Sequence, residues 1–204
     1  FYMIFDLLYI DGNWITNLPL HDRLDRLKNV IKPNQHVQLV SSETSGAGLF
    51  KVVQDRDMEG IVCKKVDSTY GIGKKDERWV KVKNYGDVTA GIGGFTLNGG
   101  IVNSLLLGLY DDQGRLHFIG KVGTGKITKA EWRELTVRLN QISVGESPFA
   151  AEHPEMKGAY WVEPRVTVKV QYTEWRRREG RVLRQPSIQH FVDVPAKECT
   201  FSNA

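Results

Sequence analysis

The first 85 residues mix strand-like and helix-like hydrophobic patterns. Phe1 to Ile10 is rich in aromatic and β-branched residues and stops at Asp11-Gly12, which predicts a buried strand followed by a tight turn. His21 to Ile31 carries aliphatic residues at helical spacing with charges opposite, and Pro33 follows, so an amphipathic helix is predicted. Similar patterns predict strands at 36–40, 60–65 and 79–83, and a short helix at 48–56.

The pattern of predicted elements changes at the polar, turn-forming stretch 84–87, which is the best candidate for a domain boundary. Beyond it, short strands separated by glycine turns are predicted at 88–95, 104–110, 116–122 and 166–175, with one helix at 129–141. About five strands and one helix in roughly 100 residues fit a small β-barrel of the OB type, although other small barrels fit about as well. The overall prediction is an α+β fold with domains 1–85 and 86–204.

The composition of the chain bears on its location and on the charge of its partner. No apolar run approaches the length of a membrane span and no secretion signal is visible, so no membrane and a cytoplasmic location are expected. The net charge is +4, and the basic residues concentrate in two patches, at 64–83 and 176–184. This distribution favours an anionic partner. Cys63 and Cys199 lack the paired spacing of a zinc site or a disulfide framework.

Two short segments are candidates for chemistry. Glu59 is placed at the start of a predicted strand, beside a glycine that leaves room for a ligand, and one such carboxylate can suffice for Mg²⁺ when phosphate and water supply the other ligands. Lys81 and Lys83 are two positions apart on a strand, so both ammonium groups face one way, toward a phosphate, while Val80 and Val82 are expected to enter the core. Each segment alone fits an ordinary solvated surface better; their combination favours a site.

Together the segments carry a family resemblance. The order Phe5-Asp6-Leu7-Leu8, then E-G-I-V-x-K-K from Glu59, then W-V-K-V-K from Trp79, resembles motifs III, IV and V of the covalent nucleotidyltransferases. The phrase FYMIFDLLYIDG resembles the ATP-dependent DNA ligases, and within them the ligase module of the bacterial end-joining ligases. The resemblance covers nearly the whole chain. It implies the C-terminal part of a nucleotidyltransferase (adenylation) domain with antiparallel sheets at 1–85 and an OB-fold domain at 86–204.

The resemblance also implies roles for individual residues. Phe5 would stack on adenine, although a core phenylalanine is an equal alternative. Glu59 would hold the divalent metal, and Lys81 and Lys83 would bind the AMP phosphate. Lys75 stands near the place of a family arginine that contacts phosphate, and a solvated loop lysine is the competing interpretation.

In the second domain, the segment from Tyr172 to Ser187 resembles the approach to motif VI, whose basic residues orient pyrophosphate in the family. Arg184 and Lys197 are the candidates for this contact. Residues 188–197, where motif VI would end, depart from the family's Arg-x-Asp-Lys form. The arginine cluster at 176–184 is alternatively a patch for the DNA backbone.

The nucleophilic lysine of the family, in Lys-x-Asp-Gly, does not occur in these 204 residues. Lys65-Val66-Asp67-Ser68 is the nearest tetrapeptide, but it lacks the glycine and follows motif IV. Because the chain also begins at Phe1 inside an apolar stretch, we expect a truncated chain whose nucleophile lies upstream and which cannot adenylylate itself.

The function implied by the resemblance is ATP-dependent sealing of DNA nicks or breaks through enzyme-AMP and DNA-adenylate intermediates, in end-joining repair. ATP and Mg²⁺ or Mn²⁺ are the implied cofactors. Nicked or broken duplex DNA and end-joining proteins are the implied partners of a monomer that works at the bacterial nucleoid. Two alternatives stay open: an RNA ligase or capping-type nucleotidyltransferase, and a non-catalytic OB-fold module that binds nucleic acid.

Overall fold

The computed structural model describes residues 1–56, 58–123, 125–175 and 182–204. The chain divides into two compact units, Phe1–Asn84 and Tyr85–Ala204, here called unit 1 and unit 2. The fold is α+β, and all the sheets are antiparallel except for one parallel strand pair in unit 1. No helix among the described residues combines the length and apolar character needed to cross a membrane.

Unit 1 consists of short elements. In chain order these are β1 (Tyr2–Ile4), β2 (Tyr9–Ile10), β3 (Asn13–Trp14), α1 (Leu20–Val30), β4 (Val37–Leu39), α2 (Gly46–Asp55), β5 (Gly60–Lys64) and β6 (Trp79–Lys83). The strands form three two-stranded sheets: β1 with β4 in parallel, and β2 with β3 and β5 with β6 in antiparallel hairpins. Both helices and the strands β4, β5 and β6 lie close to their predicted positions.

The prediction of one buried strand from Phe1 to Ile10 was wrong. Two short strands flank a non-strand segment, and several side chains of this stretch are exposed, including Phe1 and Tyr2. The interruption occurs at Asp6, whose carboxylate accepts a hydrogen bond from the backbone N–H of Leu7 and binds the side chain of Arg23. The Asp6 side chain, only 3% exposed, therefore lies in the segment between the two strands.

The Asp6–Arg23 ion pair fastens helix α1 to this segment. Arg23 is fully buried on the inner face of α1, and its Nε and Nη2 donate to the two carboxylate oxygens of Asp6 at 2.9 and 3.0 Å. Its remaining nitrogen, Nη1, donates to the backbone carbonyls of Leu18 and Ser68. The bidentate pair and the two carbonyls satisfy the guanidinium where an unpaired charge would be costly.

Unit 2 is dominated by one seven-stranded sheet and one helix. Its regular elements are β7 (Gly86–Asn98), β8 (Ile101–Tyr110), β9 (Leu116–Val122), α3 (Lys129–Gln141), β10 (Ser143–Val144), β11 (Tyr160–Val162), β12 (Thr167–Tyr172) and β13 (Ser187–Val192). Strand β7 is central: β8 pairs along one edge, and β12 and then β11 pair along the other. No strand pairing among the described residues closes this sheet into a barrel.

The described residues of unit 2 form two apolar clusters. The main cluster includes Phe95, Leu105, Leu107, Leu139 and Ile188, all fully buried, and a smaller one includes Leu106, Leu116, Phe149 and Met156. Helix α3 begins with a capping box, in which Thr128 and Glu131 exchange side-chain and backbone hydrogen bonds, and this local signal explains why its predicted bounds match the structure. The strands β10, β11 and β13 were not predicted, because each is short or is defined by a partner distant in sequence.

Candidate nucleotide and phosphate site

The hairpin of β5 and β6 brings the basic residues of motifs IV and V onto one face. Val62 lies opposite Lys81, Gly60 opposite Lys83, and Lys64 opposite Trp79. Residues directly opposite in an antiparallel pair share a face, so the side chains of Lys64, Lys81 and Lys83 all lie on the same side of the hairpin. Lys81 is exposed and Lys83 is partly buried. The result is a strip of three positive charges on a two-stranded scaffold.

The other face of the hairpin corrects the expectation that Val80 and Val82 enter a core. Val80 is 47% exposed and Val82 is 37% exposed. Helix α2 packs on β5, where a Cβ atom added at Gly46 would lie 3.9 Å from the Sγ atom of Cys63. Because α2 covers β5 more than β6, the two valines remain partly open to solvent.

Glu59 lies immediately before β5 and is an exposed residue. The next residue, Gly60, has φ +146°, and a Cβ atom there would stand 2.3 Å from the Val82 carbonyl oxygen. Only glycine fits this close approach, so the Gly60 backbone is required where the carboxylate is presented. The carbonyl oxygen of Glu59 accepts a 2.8 Å hydrogen bond from the backbone N–H of Asn84.

Phe5 lies against the loop end of the hairpin, where Lys64 pairs with Trp79. Its ring makes an edge contact with Trp79 at 6.0 Å between centroids, and its backbone carbonyl accepts a 3.2 Å hydrogen bond from Nζ of Lys64. The ring is 49% exposed. It is therefore a half-open aromatic face beside the basic strip and is not a core side chain.

Lys64 is the member of this group that sequence reasoning missed. Its Nζ lies 4.1 Å from the Trp79 ring centroid and 4.9 Å from that of Phe5, a cation–π arrangement. Burial lowers the pKa of Lys64, and the charge of Arg23 adds to this effect while Asp6 opposes it. The available signal was strand alternation: Lys64 is two positions from Val62, the residue opposite Lys81.

The loop between β5 and β6 is organised by Arg78. Its guanidinium pairs with Asp76 and donates to the carbonyl and hydroxyl oxygens of Thr69 at 3.3 Å. Hydrogen bonds from Arg78 lower the pKa of Asp76 to about 2. Lys75, the predicted phosphate contact, is exposed in this same loop.

Arg184 and Lys197 both belong to unit 2, whereas the β5–β6 hairpin belongs to unit 1. Arg184 forms an isolated bridge with Glu174, and its Nη1 donates to the Glu174 carboxylate at 3.2 Å. Lys197 is exposed in the short 3₁₀ helix Ala196–Glu198. Most of the arginine cluster proposed as a DNA-backbone patch, residues 176–181, lies outside the described residues.

The carboxylates of the described ranges do not form a ready-made metal cluster. No group of three or more histidine, cysteine, aspartate or glutamate side chains there is arranged to hold a metal ion.

Comparisons with known proteins agree across the whole chain. Residues 1–83 match the family described as the ATP dependent DNA ligase domain, and residues 98–193 match the ATP dependent DNA ligase C terminal region. The Mycobacterium tuberculosis protein named multifunctional non-homologous end joining DNA repair protein LigD is 34% identical over 189 residues, which are 90% of this chain and 24% of that protein. The corresponding Pseudomonas aeruginosa LigD is 31% identical over 98% of this chain and 24% of its own length.

Solved structures give the same result. The crystal structure of the ligase domain from M. tuberculosis LigD superposes with a TM-score of 0.54 at 33% identity, and the match covers 97% of this chain and 65% of that one. A Lig E DNA ligase, 19% identical, superposes with a TM-score of 0.58 over 93% of this chain and 62% of its own, which supports the fold alone. This chain thus spans about a quarter of the length of the LigD proteins it matches. The resemblance inferred from the ordered motifs is confirmed, and the chain belongs to the ATP-dependent DNA ligase family.

Proposed function

We propose that these 204 residues are part of an enzyme that seals nicked or broken duplex DNA with ATP, in bacterial end joining. The observation that carries this proposal is the β5–β6 hairpin, which presents the Glu59 carboxylate at one end and the Phe5 ring at the other, with Lys81 and Lys83 on the face between them. A nucleotide needs an aromatic surface for its base and positive charge for its phosphates, and the hairpin offers both.

In this proposal each side chain has a separate task. The exposed face of Phe5 stacks on the adenine, and Lys64 holds that ring in place from the side facing Trp79. The ammonium groups of Lys81 and Lys83 stabilise the negative charge that develops on the α-phosphate during nucleotidyl transfer. Lys75 in the adjoining loop is a further candidate for phosphate contact.

The residues present fit a divalent cation of the Mg²⁺ or Mn²⁺ type. Glu59 is a single accessible carboxylate, and Mg²⁺ in proteins commonly takes one or two carboxylates and completes its coordination with phosphate oxygens and water. When bound, such a cation neutralises charge on the reacting phosphate oxygens. The role of Glu59 is to hold it beside the lysine strip.

The proposed reaction has three steps. A lysine amine attacks the α-phosphate of ATP and releases pyrophosphate; a 5′-phosphate of DNA then displaces the lysine from AMP; finally a 3′-hydroxyl attacks the adenylylated 5′-phosphate and releases AMP. The 204 residues contain no Lys-x-Asp-Gly segment, so we propose that residues outside them supply the nucleophile. Arg184 and Lys197 are the candidates in unit 2 for orienting pyrophosphate.

Finer assignments accompany this function. We infer that residues 1–85 are the C-terminal part of an adenylation domain and that 86–204 form an OB-fold domain, supported by the strand-rich order of unit 2 with its single long helix. We also propose that the protein acts as a monomer on DNA at the bacterial nucleoid, with end-joining proteins as partners. The names of its LigD relatives support the end-joining assignment.

The decisive experiment removes the carboxylate. In a polypeptide that joins these residues to a Lys-x-Asp-Gly segment, Glu59→Ala is expected to lower ATP-dependent nick sealing by at least about 100-fold, the scale of losing one electrostatic contact in a transition state. Glu43→Ala, at an exposed glutamate before α2, is the matched control and should seal normally. Sealing near the wild-type rate by Glu59→Ala would remove the basis of the assignment.

Two further measurements separate the alternatives. The 204 residues alone, incubated with radiolabelled ATP, are expected to carry no covalent AMP, and a labelled band would contradict the proposed external nucleophile. With the nucleophile supplied, the protein should seal a nick in DNA in preference to one in RNA and should use ATP in preference to GTP. The opposite preferences would favour an RNA ligase or a capping enzyme.

A further inference from the structure

Asn84 binds two consecutive carbonyl groups at the segment that carries Glu59. Its backbone N–H donates to the carbonyl oxygen of Glu59 at 2.8 Å, and its side-chain Nδ2 donates to the carbonyl oxygen of Met58 at 3.1 Å. The backbone N–H of Met58 in turn donates to Val53 in helix α2 at 2.9 Å. The segment is thus held between the end of β6 and the end of α2.

These two hydrogen bonds of Asn84, here called the clamp, lie just beyond the last residue pair of the β5–β6 hairpin. The last pair of the β5–β6 ladder joins Gly60 with Lys83, so Glu59 and Asn84 lie one step beyond it. Gly60 has the φ of +146° that breaks the extended path of the strand. A backbone that turns this sharply needs further contacts to hold one direction, and the hydrogen bonds of Asn84 supply them on the Glu59 side.

We propose that Asn84 is a positioning residue that sets the direction of the Glu59 carboxylate and thereby the strength with which it holds a divalent cation. This inference rests on the proposed role of Glu59. An amide is suited to the task because Nδ2 is a donor and the Met58 group it meets is an acceptor. An aspartate of the same shape would place a negative oxygen against that carbonyl.

Asn84 also lies at the boundary between the two units of the chain. Asn84 is the last residue of unit 1, and Tyr85 begins unit 2. The residue that orients the carboxylate is therefore also the one at which the chain leaves the hairpin. Its two hydrogen bonds connect the end of β6 with the segment that carries the carboxylate, one to the Met58 carbonyl and one to the Glu59 carbonyl.

The test compares three variants in the polypeptide that carries a Lys-x-Asp-Gly segment. Asn84→Leu removes the side-chain donor to Met58 at similar size and keeps the backbone N–H that binds Glu59. Asn84→Asp replaces the side-chain donor with a charged acceptor, and Asn29→Asp makes the same amide-to-carboxylate change at an exposed site on α1. Mn²⁺ binding in the presence of AMP is followed by electron paramagnetic resonance, and the Mg²⁺ concentration for half-maximal sealing is measured separately.

Both Asn84 variants are expected to raise the Mn²⁺ dissociation constant and the Mg²⁺ requirement by about tenfold, the scale seen when the outer partner of a metal ligand is lost. Sealing at saturating Mg²⁺ should recover most of its rate, and Asn29→Asp should match the wild type. If Asn84→Leu fails to fold, Asn84→Ser replaces it in the test. The expected shift in the Mn²⁺ dissociation constant is then smaller, because the serine side chain is shorter but its hydroxyl can still donate a hydrogen bond.

Other outcomes overturn the inference in distinguishable ways. Unchanged Mn²⁺ binding in Asn84→Leu, in a protein where Glu59→Ala abolishes sealing, removes the positioning role and leaves the proposed function intact. Tighter binding in Asn84→Asp alone assigns the effect to added charge and rejects the clamp. Normal sealing by Glu59→Ala removes the proposed function, and the inference falls with it.

Discussion

The two units of this chain keep their structure by different means. Unit 2 has a seven-stranded sheet and gathers most of its buried apolar side chains into one main core, with Phe95, Leu107 and Ile188 fully buried. Unit 1 has only two-stranded sheets, and many of its large apolar side chains are exposed, among them Phe1, Tyr2 and Val80. Its most deeply buried charged group is Arg23, paired with Asp6.

The residues of the main apolar core and the candidate site residues of the hairpin therefore lie in different units. The main core of unit 2 is fully buried, whereas Glu59 and Lys81 at the hairpin of unit 1 are exposed to solvent. Unit 1 compensates with specific polar contacts at a few points, which orient groups more sharply than apolar packing does. We therefore expect stability in unit 2 to respond to lost volume and stability in unit 1 to respond to lost polar partners.

The largest expected effect is Phe95→Ala in unit 2. Phe95 is fully buried and stacks on Tyr160 at 5.6 Å between ring centroids, so truncation should lower the free energy of unfolding by about 3–5 kcal/mol. The same change at the half-exposed Phe5 is expected to cost less than half as much, since much of that ring already meets water. Urea unfolding followed by circular dichroism measures both, and equal losses would contradict the contrast between the units.

The next effect tests the polar support of unit 1. Arg23→Met leaves the Asp6 carboxylate buried without its partner and is expected to cost about 3 kcal/mol. The double variant Arg23→Met with Asp6→Leu leaves no unpaired buried charge, so it should recover most of the lost free energy of unfolding. A double variant as unstable as the sum of both single changes would show that the pair is not coupled.

The smallest effect concerns the two cysteines, one in each unit. Cys63 is exposed, while Cys199 is buried, and burial raises its pKa from 9.0 to about 11. At pH 8, iodoacetamide should label Cys63 rapidly and Cys199 only after unfolding, as mass spectrometry can determine. The Cys63→Ser variant is the control and should take up no label while folded.

The raised pKa of Cys199 also gives a pH dependence with a definite sign. The folded state favours the neutral thiol, so this contribution to stability is complete below pH 9.0 and is lost as pH rises toward about 11. Cys199→Ala should flatten the decline of stability in that window. A decline unchanged in Cys199→Ala would assign it to other groups.

Local sequence patterns predicted the elements whose causes are local. Helix α3 begins at its capping box of Thr128 and Glu131, and β6 has the bounds expected from alternation in Trp79–Lys83. The motifs also predicted the family, because their order along the chain is a sequence property. The roles of Glu59, Lys81 and Lys83 remain predictions that the proposed variants test.

Elements defined by distant partners could not be predicted in this way. Strand β11 exists because Tyr160 pairs with Phe95 on β7, and no pattern within its three residues indicates that partner. Asp6 lies in the non-strand segment between β1 and β2, and its pairing with Arg23 on another element has no local sequence signal. In both cases the deciding energy belongs to a contact between segments far apart in the chain.

The sequence by itself determined the family, the hairpin and the alternation that puts Lys81 and Lys83 on one side. Only the tertiary structure decided that Lys64 lies between Phe5 and Trp79 and that Asn84 holds the carbonyls of Met58 and Glu59. The physical reason is that strand periodicity follows from adjacent residues, whereas burial, cation–π contacts and clamping hydrogen bonds depend on which segments meet in space.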